Sequence, residues 1–263
     1  MTLTIIDIIW VIDAILAFIC GVRIFQAWQK TKDKLLGDFT KFFILSGIGY
    51  LILSGASSLV KDIFWAKLVI TAGIFVLFMG LAYFAKLAVR LVWAKFGNST
   101  FWLIIFGNIL TLIANIKYYL LVPTFPFLDP KTGLAPTRTQ FFDPQTGIFT
   151  INFPVIASVF IIIISLIALL IPGVIFIKKA IKVTDKDIRV RAMLLGCGLL
   201  FFGIGGILCG FAGRVLPMYL SHLFLVLGFL PFLVGVFYVI EKKVPKAISS
   251  VEAVPATAPK IQW

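Results

Sequence analysis

The chain has 263 residues, 61% hydrophobic and 13% charged, with a mean hydropathy of +1.09 and a formal net charge of +13. Soluble domains are about 45–50% apolar and about 25% charged, so a single water-surrounded core is excluded and a bilayer is the solvent this composition requires. The positive charge sits in short strips between long apolar runs, which argues against nucleic acid as a partner and for the lipid bilayer with its anionic headgroups.

A helix crosses the hydrocarbon layer with about 20 apolar residues. Seven stretches qualify, at about 4–26, 41–60, 66–89, 101–122, 152–177, 193–213 and 217–240. Each is read as helix because backbone in lipid must satisfy its own hydrogen bonds. The predicted fold is therefore an all-α membrane protein, a seven-transmembrane-helix bundle over residues 1–241. The opening MTLTIIDIIW has no basic n-region and no cleavage site, so it is read as the first helix and not as a removed signal.

Lys and Arg set the direction. With the N-terminus outside and the C-terminus inside, the cytoplasmic segments hold 18 of the 24 basic residues: Arg23, Lys30, Lys32, Lys34, Lys41, Lys86, Arg90, Lys95, Lys178, Lys179, Lys182, Lys186, Arg189, Arg191, Lys242, Lys243, Lys246 and Lys260. Lys61, Lys67, Lys131, Arg138 and Arg214 stay outside, and Lys117 falls within a span. This N-out/C-in alternation follows the positive-inside rule and requires an odd number of spans. The expectation is a multi-pass protein of a prokaryotic plasma membrane, with Trp28, Trp93 and Trp102 at the inner interface and Trp65, Tyr118, Tyr119 and Tyr219 at the outer.

Between spans four and five, 123–151 contains a short repeat, Asp129-Pro130-Lys131-Thr132-Gly133 and Asp143-Pro144-Gln145-Thr146-Gly147. Proline presets φ for a turn and the fifth-place glycine accepts positive φ. Phe141-Phe142 before the second turn and Ile148-Phe149-Thr150-Ile151 after it predict a small extracellular β-hairpin. One carboxylate per turn is far from a calcium shell. Before span six, Thr184 with Asp187 three places on is read as a capping box. Residues 242–263, with Pro245, Pro255 and Pro259, are read as a disordered cytoplasmic tail.

Ionisable and polar groups inside spans are the candidate ligand-binding residues. Asp13 lies about nine residues into span one, roughly 13 Å deep at 1.5 Å per residue, and Lys117 lies at a comparable depth in span four, so the two are within reach of pairing. Asp7 is shallower and is expected at the interface. Asn108, Thr111 and Asn115 share one face of span four, facing either a cavity or a neighbouring helix. His222, the sole histidine, is expected near the outer end of span seven, where it titrates or simply occupies the interface. Glycines at 196, 203 and 210 repeat every seven residues and allow close helix approach, including a homodimer through helix six.

No cofactor is expected. Cys20, Cys197 and Cys209 lie in spans with no CxxC spacing and too few ligands for a metal, and a lone histidine cannot form a bis-His haem site. No GxSxG, HExxH or Walker loop is present, and the last span lacks the lysine a retinal protein needs, so an enzyme is not expected.

Three features over about 150–240 are taken together: the loop ending Gly147-Ile148-Phe149-Thr150, the basic start of span six from Asp187 to Gly196 with its glycine-rich continuation, and the closing Phe237-Tyr238-Val239-Ile240. In this pattern the chain resembles the N-terminal seven-helix sensor region of bacterial histidine kinases, without the kinase. The resemblance implies a stand-alone sensor that signals to a separate cytoplasmic partner, which would dock on Lys178, Lys179, Lys182, Arg189 and Arg191 or on the tail. The alternatives are a small-solute transporter, for which spans 1–3 share no motif with spans 5–7, and a structural subunit of a membrane complex.

Overall fold

The computed structural model describes residues 5–58, 63–116, 142–143, 148–149, 155–211 and 218–243. Helices α1 (Ile5–Thr31), α2 (Lys34–Ser58) and α3 (Ile63–Val92) are followed by a 3₁₀ turn at Ala94–Phe96 and α4 (Gly97–Asn115). A second rod joins α5 (Val155–Ile164), a π-helical segment Ser165–Leu170 and α6 (Ile171–Lys182), followed by α7 (Lys186–Phe211) and α8 (Met218–Lys243). Among the described residues six helices are long and apolar enough to cross a membrane, and the described apolar part of α8, Leu220–Gly235, is shorter. The chain is a multi-pass, all-α membrane protein.

Several helices outrun the apolar stretches at their basic ends, because caps end them and not hydropathy. Lys32 turns to φ 54°, in the left-handed region, and its N–H bonds the Trp28 carbonyl at 2.7 Å, which closes α1. Asp33 Oδ1 then accepts the Leu35 N–H at 2.8 Å and opens α2. At α7 the cap is Asp185 and not Thr184: its Oδ1 accepts the N–H groups of Asp187 at 2.8 Å and Ile188 at 3.0 Å. A cap acceptor must reach the second and third helical N–H groups, and with Lys186 as the first helical residue only Asp185 stands one place before it. Helix α8 continues to Lys243, into the predicted tail; 244–263 lie outside the described residues.

The π segment has a local cause. Pro172 has no N–H to donate one turn back, and its ring crowds the carbonyl four residues earlier. Widening the turn just before it relieves that crowding within the rod.

The direction of each helix follows from its contacts. Gly21 lies against Phe43 and Ile44, and Gly37 against Trp28, so α1 and α2 are antiparallel. Gly49 meets Gly73 and Leu77 while Gly80 meets Phe42 and Ser46, so α3 runs back along α2. Gly173 opposes Gly196, and Gly198 and Gly205 oppose Phe232 and Leu225, which makes α6, α7 and α8 alternate likewise. The ring closes between α1 and α8, while α4 packs on α3 and α5 at the periphery. The turns at 32–33, 93–96 and 183–185 thus share one basic end of the bundle.

Helix α1 shows the inside-out logic plainly. Trp10, Asp13, Ala14, Ala17, Cys20 and Ile24 are buried, whereas Ile8, Val11, Ile12, Ile15, Ile19 and Val22 are exposed toward lipid. The glycines of α7 face neighbours of the same chain: Gly196, Gly203 and Gly210 meet the α5–α6 rod, and Gly198 and Gly205 meet α8. The stripe expected to seat a second copy is thereby filled internally, because small residues draw in whichever backbone is tethered nearest. Strands β1 (Phe142–Asp143) and β2 (Ile148–Phe149) pair antiparallel, with Phe142 opposite Phe149 and Asp143 opposite Ile148. Residues 144–147, the predicted turn, and 117–141 lie outside the described residues.

Lys32 is a branched-side-chain-free but non-glycine residue in left-handed geometry, which costs about 1 kcal/mol. Lys32→Gly is expected to raise stability by about that amount, read as a higher Tm of the detergent-solubilised protein; an unchanged or lower Tm would show that the Lys32 ammonium over Trp28, 5.1 Å from the ring centroid, outweighs the backbone term.

Candidate functional site

Asp13, nine residues into α1, finds its neighbours on α8 and α2. Asp13 is fully buried, and so are Trp10 one turn earlier, His222 near the start of α8, and Tyr50 in α2. Trp10 Nε1 donates to His222 Nε2 at 3.2 Å, and the two rings meet edge to face at 5.6 Å. Tyr50 presents its ring edge-on to His222 at 6.2 Å. Since Nε2 accepts, the neutral imidazole carries its proton on Nδ1, and Nδ1 faces Asp13 Oδ2 across 4.0 Å. That gap is too long for a hydrogen bond. Both Asp13 oxygens and His222 Nδ1 have no hydrogen-bond partner among the described residues.

His222 and Tyr50 also line a cavity of about 120 Å³ between α2, α3, the α5–π rod, α7 and α8. Its walls are mostly apolar, from Leu53, Ile74, Leu77, Phe78, Leu81, Ile161 and Leu169, with Ser46, Ser165 and Cys209 as further polar or polarisable groups. Ser165, the first residue of the π segment, lines this cavity, and its Oγ lies over Gly206.

Toward the basic end the centre is plugged by rings. Phe42 stacks on Phe84 at 4.3 Å, Phe202 meets Phe229 edge to face at 4.9 Å, and Phe232 meets Phe84 at 5.4 Å. Phe43 and Phe229 lie seven residues from Tyr50 and His222 respectively, about 10 Å along each helix at 1.5 Å per residue. Below the plug, Lys86 pairs with Asp38 at 2.9 Å, tying α3 to α2, and its ammonium lies over Phe101 of α4 at 5.7 Å.

The predicted site residues separate into three places. Asp13 and His222 come together; His222, expected at the interface, is 4% exposed because α1 and α8 start from the same end and meet at that depth. Asp7 is likewise buried within the bundle. Asn108 is elsewhere: its Nδ2 donates to the Phe75 carbonyl of α3 at 3.0 Å, and neither it nor the buried Thr111 lines the cavity. The Asn115 side chain and Lys117, and with them the proposed Asp13–Lys117 pair, lie outside the described residues. Lys178, Lys179, Lys182 and Arg189 are exposed around the α6–α7 turn, and Arg191 is half-buried there.

Trp10, Tyr50 and Ser165 were not among the residues predicted from sequence. Trp10 carried a readable signal, since it lies on the same face as Asp13, Ala14 and Ala17, and a run of small residues marks the face that neighbours approach. Tyr50 and Ser165 had none without the helix pairing. Comparison with family profiles, curated proteins and solved structures gives no match for this chain.

A buried polar group without a partner costs about 1–3 kcal/mol, so Asp13 weakens the bundle it sits in. Replacing it with the apolar near-isostere, Asp13→Leu, is expected to stabilise the protein by about 1–3 kcal/mol, measured by thermal unfolding in nanodiscs. A loss of stability would mean that Asp13 holds the helices together.

Proposed function

We propose that this chain is a seven-helix membrane sensor, N-out/C-in, that takes a small apolar molecule into the cavity beside His222 and passes a helix displacement to a cytoplasmic partner. In this reading α8 is the seventh span and the paired strands belong to an outer hairpin. The observation that carries it is the cavity of about 120 Å³, mostly apolar and with His222 and Tyr50 in its wall. An apolar protein cavity of roughly 150 Å³ binds benzene, so this one suits a body of about five carbons.

Two features favour a sensor over the small-solute transporter. Among the described residues the aromatic layer of Phe42, Phe84, Phe202, Phe229 and Phe232 lies between the cavity and the basic end, and a carrier of polar solutes needs polar groups along its central path. The π segment lies at the cavity wall, a placement common at functional sites, and α6 links it to Lys178, Lys179 and Lys182. Filling the cavity repacks the π segment on α7 and moves that basic turn, where Arg189 and Arg191 complete a docking strip for an acidic partner surface. The resemblance of 150–240 to kinase sensor regions agrees with this direction of signalling.

Cyclopentane serves as the probe. It is expected to raise the Tm of the nanodisc-embedded protein and to shift the distance between spin labels at the exposed positions 34 and 182, with both effects lost in Ser46→Leu or Cys209→Leu, which fill the cavity. Solute uptake by proteoliposomes would favour the transporter instead, and absence of any probe effect would leave a structural subunit.

A further inference from the structure

We propose that His222 relays occupancy of the cavity to α1: a molecule slightly larger than the cavity presses the imidazole onto Asp13 and closes a hydrogen bond between α8 and α1. The proposal rests on the cavity reading above and names the contact through which occupancy is sensed. The cavity is walled by α2, α3, the α5–π rod, α7 and α8, and no described residue of α1 lines it. His222 of α8 is part of that wall, and its Nδ1 faces Asp13 of α1. The imidazole thus stands between the cavity and the carboxyl.

Trp10 N–H has only a donor to offer, so His222 Nε2 accepts and Nδ1 carries the proton. Asp13 presents an acceptor oxygen whether or not it is ionised. Donor and acceptor therefore face each other at 4.0 Å, and neither has a hydrogen-bond partner among the described residues. That spacing is about 1 Å beyond a hydrogen bond. The Trp10 bond, at 3.2 Å, is itself at the long limit. A shift of His222 toward α1 by about 1 Å, the scale on which packed helices slide, improves both contacts and breaks neither. The same shift draws the ring back from the cavity and enlarges it. A molecule larger than the present volume of about 120 Å³ therefore binds the shifted state better, which is the differential affinity a ligand needs to move an equilibrium. A molecule that already fits has no such preference. Helix α8 carries the change onward: Phe229, two turns beyond His222, meets Phe202 at 4.9 Å and Phe43 at 6.1 Å, so the aromatic layer moves with it.

The test uses two hydrocarbons, cyclopentane and the larger cyclohexane, titrated against the full chain in nanodiscs and read by Tm and by NMR. His222 is the sole histidine, so isotope-labelled histidine reports this imidazole alone. Cyclohexane is expected to move the Nδ1 proton resonance downfield as the bond to Asp13 forms, and cyclopentane to leave it in place. Asp13→Leu, which removes the acceptor, is expected to abolish that shift and to weaken cyclohexane binding about threefold, the scale of one net hydrogen bond, with cyclopentane binding unchanged. Asp13→Asn keeps an acceptor oxygen and is expected to retain both the shift and the affinity, which a merely space-filling aspartate would not require. If cyclohexane raises Tm without moving the resonance, or moves it equally in Asp13→Leu, the relay is overturned while the cavity reading stands. The relay is overturned likewise if cyclopentane binds and cyclohexane does not, or if the Nδ1 proton is already hydrogen-bonded without a probe, as a bridging water would make it. If neither hydrocarbon shifts Tm, the cavity reading itself falls.

Discussion

Helices immersed in hydrocarbon gain little by burying apolar side chains against one another, since lipid solvates those side chains equally well; what holds such a bundle is close backbone approach and polar contact. Here the approach is made by glycines. Gly49 and Gly73 bring α2 onto α3, Gly173 and Gly196 bring α6 onto α7, and an added Cβ at Gly49 would stand 2.6 Å from Leu77. Because these faces are used within the chain, the helices sit near enough for phenylalanines to interlock at the centre, and every other feature is placed relative to that seam.

The polar cluster runs against the same logic. Trp10, Asp13, Tyr50 and His222 occupy the innermost position, yet only the Trp10–His222 bond satisfies a pair among them. An apolar residue at position 13 would pack at less cost, and the π turn gives up regular helix beside the cavity. Two local departures from the best packing lie within one region, which is where a binding function is expected to show itself.

Much of the architecture was legible because membrane helices announce themselves by length and apolarity alone. The apolar runs in α1 to α7 gave helices in the right places, and Asp13 stood out as a charge with nowhere polar to go. Helix ends were less legible, since Asp185 and Thr184 are both sound caps and only the phase of α7 decides between them. The burial of His222 was not legible because depth along a single helix says nothing about which neighbour a residue faces: five residues into α8, it is covered only because α1 lies alongside. The polar stripe of α4 was ambiguous for the same reason, and the contact of Asn108 with the Phe75 carbonyl depends on the α3–α4 pairing. Pro172 was visible in the sequence, but whether a proline kinks, breaks or widens a helix is decided by what packs beside it.

The Trp10–His222 bond joins residues 212 positions apart in the chain. At a synthesis rate of about 5–20 residues per second, α1 waits roughly 10–40 s between its own emergence and that of the helix that covers Trp10 and Asp13. For that interval the most polar face of the first helix has to be sheltered by the insertion machinery or by α2 alone. Helix α1 is thus completed only when α8 arrives, and a lag in supplying α8 leaves a carboxyl facing lipid.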